Sequence, residues 1–132
     1  MRIMRIESPG LISSRLLPSI VVGGATIGIE YNGSSPDGRT VYRWTIDLPD
    51  GSEHSGTDLR SGVGGGSLQD GLESLLSFLA ACGESVSYRE RTGRGGDNAD
   101  MFPPAVGQWA AGCADDLALA ESEITESPIF HE

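Results

Sequence analysis

The chain has 132 residues, enough for one domain with a sizeable core. Its hydrophobic fraction of 38% and charged fraction of 21% belong to a globular protein, and 19 glycines point to long loops and tight turns rather than wholesale disorder. A net charge of −10 repels nucleic acid and acidic membranes and attracts basic surfaces, and its plainer reading is a solvated face that keeps the protein soluble.

That charge is unevenly spread. All nine basic residues are Arg, and residues 1–96 carry eleven acids against these nine, whereas residues 97–132 carry eight acids and no base. The N-terminal "MRIMRIESPGLISSRLLPSIVV" is broken by Glu7, Pro9, Arg15 and Pro18, so neither a signal peptide nor a membrane span is expected. Cys82 and Cys113 are too few for a disulfide scaffold and read as reduced core thiols of a cytoplasmic protein.

In chain order, Ser19 to Tyr31 reads as a strand, with Ile27, Ile29 and Tyr31 alternating with smaller or polar residues. The turn-rich "NGSSPDGR" follows, then "TVYRWTIDL", where Tyr42, Trp44, Ile46 and Leu48 share one face; the two strands are expected to pair as a hairpin. "PDG" at Pro49 to Gly51 suits a type I turn, returning "SEHSG" as a short edge strand. Ser67 and Asp70 form a near capping box. Behind it, Leu68, Leu72, Leu75, Leu76, Leu79 and Cys82 line one helical face, leaving Gln69, Glu73 and Ser77 outside, and Gly83 is placed to end the helix. "ESVSYRER" reads as a strand. A second helix opens at "PPAVGQWAAGCADDLALAESEI" with Val106, Trp109, Ala110, Cys113, Leu117 and Ile124 aligned. The expected fold is α+β: a small antiparallel sheet of three to four strands packed by two amphipathic helices, forming a single domain over residues 1–126 with a loose tail at 127–132.

The glycine loop before the first helix invites a phosphate-site reading. A Walker-type loop requires a Lys, which the chain lacks, and a dinucleotide fingerprint starting at Gly62 meets Ser67 at its sixth place. A generic anion site remains, built from Arg60, Gly64, Gly65, Gly66 and Ser67, with Arg89, Arg91 and Arg94 of "YRERTGR" as further cations; Asp70 and Glu73 oppose it at the helix start. No metal site is expected, because His54 and His131 stand in no ligand spacing and "DNAD" lacks the rest of a calcium loop. "G-x-S-x-G" is absent, no carboxylate pair is singled out, and no cofactor is expected.

At "YRWTIDLPDG", "SGTDLRSG", "SLQDGLESLLSFL", "YRERTGR" and "DNADMFPPAVGQWA" the chain resembles small acidic proteins of uncharacterised function encoded by bacteriophages and prophages of high-GC bacteria, over about Thr40 to Ile124. The resemblance implies a phage accessory product working in the bacterial host cytoplasm. With no catalytic constellation and a segregated negative charge, the leading expectation is a non-enzymatic, anti-CRISPR-like counter-defence protein. It would bind and inhibit a host protein by occupying its nucleic-acid-binding surface, without binding nucleic acid itself. The contact residues are Asp115, Asp116, Glu121 and Glu123, with Asp97 and Asp100 on a second patch. The alternative is an oligomeric protein that sequesters a small anionic ligand or nucleotide signal through the arginines and the glycine loop.

Overall fold

The computed structural model describes residues 5–7, 19–60 and 67–126. They form an α+β fold in which a meander of strands precedes three helices. The strands are β1 (Arg5–Glu7), β2 (Ser19–Val22), β3 (Ala25–Ser34), β4 (Thr40–Asp47) and β5 (Glu53–Arg60), each antiparallel to the next, so that the three-residue β1 flanks a main sheet of four. The helices are α1 (Leu68–Thr92), α2 (Pro104–Gly112) and α3 (Ala114–Glu126).

β3 and β4 pair as the expected hairpin, and Tyr42, Trp44, Ile46 and Leu48 are all buried. The turn at Pro49 also forms, with the Gly51 N–H donating to the Leu48 carbonyl at 2.9 Å. The stretch from Ser19 to Tyr31, however, is two strands rather than one. Gly23 and Gly24 have φ of 56° and 80°, the backbone of a two-residue hairpin turn that matches the twist of the flanking strands, and Val22 pairs with Ala25 across it. β5 runs on past "SEHSG" to Arg60.

Ser67 caps α1 in a complete capping box: its hydroxyl accepts from the Asp70 N–H at 3.1 Å, and its own N–H donates to the Asp70 carboxylate at 3.1 Å. The helix does not stop at Gly83, and "ESVSYRER" is helical rather than a strand. Gly83 is buried in mid-helix because α2 crosses there: a Cβ on it would lie 2.4 Å from the Ala110 carbonyl oxygen. The terminator is Gly93, in the left-handed region at φ 76°, whose N–H donates to the Arg89 carbonyl. The single helix expected from Pro103 to Ile124 breaks at Cys113, where φ and ψ are −141° and 31°, giving three helices instead of two. That break seats Trp109 against the β2–β3 turn, its indole N–H donating to the Gly23 carbonyl at 3.0 Å, while Leu117, Ala120 and Ile124 of α3 are buried.

α1 is the central element. It packs on β3 and β5 and carries α2 and α3 alongside, and α3 also reaches β2. Leu72, Leu75, Leu76, Leu79 and Cys82 are fully buried, and each such leucine contributes about 1.5–3 kcal/mol of transfer free energy. Both cysteines are free thiols, Cys82 donating to the Ala99 carbonyl and Cys113 to the Trp109 carbonyl. Burial pushes both thiols up, Cys113 to about 11, so neither is a ready thiolate nucleophile. Among the described residues no helix is long and apolar enough to cross a membrane.

Candidate functional site: an aromatic cleft with two arginines

The feature with the most chemistry is a cleft of about 350 Å³ between the β4–β5 edge, α1 and the segment before α2. Its volume falls at the small end of ligand pockets. Trp44, Leu59 and Phe102 are its buried floor; Phe78 and Met101 are its lips, 41% and 40% exposed; Arg39, Asp58 and Arg60 supply the charge.

The local sequence explains the arrangement. Trp44 lies across Gly56, its cross-strand partner, where an added Cβ would sit 2.6 Å from the indole. Tyr42 pairs with Leu59, so Thr57 and Asp58 together oppose Arg43: a bulge, a device that re-aims side chains at sheet edges. The bulge brings Asp58 to the indole, whose N–H donates to its Oδ1 at 3.3 Å. Phe102 meets Trp44 edge-on with ring centroids 5.2 Å apart at 72°, a favourable quadrupole arrangement. Arg39 is tethered near the β3–β4 turn by Asp37 at 3.4 Å. The Ser35 hydroxyl, followed by the Arg39 backbone N–H and guanidinium, holds the Asp37 carboxyl below its usual range. Arg60 makes no ion pair among the described residues.

The arginines expected to bind an anion do not converge. Arg60 lines this cleft, whereas Arg91 lines two others and Arg89 is spent on structure. Arg89 donates to the Gly95 and Gly96 carbonyls and to both oxygens of Asp100, at 3.1–3.3 Å, pinning the loop after α1. Arg91 stands 5.9 Å over the Tyr88 ring, and Arg94 is exposed. Ser67 is used by the capping box, and Gly64, Gly65 and Gly66 lie outside the described residues.

The acidic candidates fall on the helical layer. Asp115 and Asp116 share a surface cleft of about 570 Å³ with Glu84 and Arg91. Glu121 and Glu123 are half-buried further along α3, and burial, reinforced by the charge of Glu73 on α1, pushes the Glu121 carboxyl up. Asp97 is exposed beside Tyr88 in a separate cleft, while Asp100 is tied to Arg89 and held low by it.

Sequence reasoning singled out only Arg60 among the residues of the aromatic cleft. The one local signal for the rest is Phe78, an aromatic outside the apolar stripe of α1. No family model, curated protein or solved structure matches this chain.

Proposed function

We propose that this chain is a non-enzymatic binding protein that captures a small anionic ligand carrying a planar ring, with nucleotides as the class that fits best. The observation that carries this reading is Phe78 and Met101 left exposed on the lips of a cleft that also presents Arg39 and Arg60. Exposed large apolar side chains gathered around a concave site mark binding rather than folding. A ring sliding between them gains stacking and dispersion, and a guanidinium pairs bidentately with phosphate oxygens. On this reading the protein sequesters a signal of a bacterial host cell, a role that needs no turnover.

The test is a thermal shift with a panel of ribonucleotides, nucleosides and inorganic phosphate. A nucleotide at about 100 times its Kd stabilises the folded chain by about 2.7 kcal/mol, so its melting temperature rises by several degrees. Phe78→Ser and Arg60→Ala should each abolish that rise. No shift with any nucleotide, or a shift retained in both variants, would overturn the reading.

A second reading is favoured by acids on the helical layer: Glu84, Asp115 and Asp116 line one cleft, and Glu73 of α1 reinforces the burial that pushes the Glu121 carboxyl of α3 up. Such a face complements the basic surface of a host protein. Neutralising Asp115, Asp116, Glu121 and Glu123 together should weaken capture of that partner and flatten its salt dependence. Affinity unchanged by all four substitutions would sink the idea.

A further inference from the structure

From this cleft we infer that Asp58 is a specificity-determining residue that accepts a hydrogen bond from a sugar hydroxyl, so that the ligand taken is a ribonucleotide rather than a deoxyribonucleotide or a simple anion. The inference rests on the nucleotide-capture reading and deepens it. A carboxylate in the same cleft as Arg39 and Arg60 opposes an anion, and in a site for bare phosphate it would only weaken binding. Its presence makes chemical sense if the ligand brings a donor to it, because an ionised carboxylate only accepts hydrogen bonds.

The geometry orients it for that task. The bulge opposite Arg43 carries Asp58 to the Trp44 edge, and the indole N–H holds Oδ1 at 3.3 Å. Oδ2 has no hydrogen-bond partner among the described residues, and the side chain is exposed to the cleft. One oxygen is thus anchored and the other free. The lips, Phe78 and Met101, take a ring, the arginines take a phosphate, and a nucleotide joins those two groups through its ribose. Carboxylates recognise ribose hydroxyls in this way in dinucleotide sites of an unrelated fold.

The experiment is isothermal titration of the four ribonucleoside diphosphates and their 2′-deoxy and 3′-deoxy counterparts into the full chain and into Asp58→Asn. Asn keeps an acceptor for the Trp44 N–H but replaces the second acceptor with a donor. The expected result is at least about tenfold tighter binding of the ribonucleotide than of one of its deoxy forms. Asp58→Asn should diminish the preference, because a neutral amide bond to the hydroxyl oxygen replaces a bond to an ionised carboxylate, and should leave the deoxy form bound at least as tightly, because a repelling charge is gone. Equal binding of ribo and deoxy forms by the unmodified chain, or a preference undiminished in Asp58→Asn, overturns the inference while leaving nucleotide capture standing. If none of the nucleotides binds, capture itself fails and the inference with it. Should Asp58→Asn not fold, as its melting temperature would report, the comparison on the unmodified chain still decides.

Discussion

The Gln69 side-chain amide donates to the Ile124 carbonyl at 3.2 Å, tying the first turn of α1 to the last turn of α3 across 55 residues of sequence. The same nitrogen lies 2.8 Å from Glu73 Oε2, and Gln69 is 6% exposed. The last carbonyls of a helix have no partner within it, and Gln69 supplies one from a neighbouring helix. Gln69→Ala should therefore cost about 1–3 kcal/mol, read from urea unfolding with an unchanged m-value. An effect within about 0.5 kcal/mol, as for an ordinary surface position, would show that the bond contributes nothing.

Two glycines in helices should respond with opposite sign. At Gly83 an added methyl meets the Ala110 carbonyl carbon and oxygen at 2.6 and 2.4 Å, backbone atoms that cannot swing aside, so Gly83→Ala should destabilise by about 1–3 kcal/mol. At Gly112 nothing lies within 4 Å and φ is not positive, so Gly112→Ala should be neutral or stabilising by up to about 1 kcal/mol through helix propensity. Thermal unfolding of the two variants side by side checks the pair.

The Arg89–Asp100 contact has a definite pH signature. Hydrogen bonding to Arg89, reinforced by its charge, lowers the folded-state pKa of Asp100. Its contribution to stability is accordingly present above the ordinary carboxylate range and lost as pH falls through the depressed folded value. Both groups are exposed, so the effect should be small and should fade with salt. In Arg89→Ala, carboxyl NMR should find Asp100 titrating in the ordinary range, and amide exchange should quicken over Gly93 to Asp100.

Glu121 behaves in the opposite sense. Burial first and Glu73 second raise its folded-state pKa, so the associated stability is present below the ordinary carboxylate range and is lost as pH rises through the raised value. Glu73→Gln should bring the Glu121 titration only part of the way down, because the larger cause stays. A full return to the ordinary value in the NMR titration would mean that burial contributes little.

The local grammar of this chain was legible without its fold. The Tyr42-Trp44-Ile46-Leu48 alternation, the Leu48–Gly51 turn and the Ser67–Asp70 capping box each follow from residues within a few positions of one another, and all three appear as read. Where a local signal had two physical outcomes, long-range packing chose between them. Gly83 can end a helix or admit a crossing one, and Ala110 decides for the crossing. Gly23 and Gly24 can sit in a strand or reverse it, and the pairing of Val22 with Ala25 reverses it. Gln69 looked solvent-facing because one apolar stripe accounts for one neighbour, whereas α1 also has to receive α3.

The candidate site was legible only as Arg60. Its other parts come from the β3–β4 connection, β4, β5, α1 and the loop before α2, and no spacing rule links them. Composition and periodicity determined the α+β class, the acidic surplus of the helical half and the main apolar faces of β4 and the first turns of α1, since these depend on each residue and its near neighbours. Which side chains share the cleft was decided by one strand register slipping past Arg43 and one helix crossing at Gly83. Both set distances between residues far apart in the chain, which local periodicity does not encode.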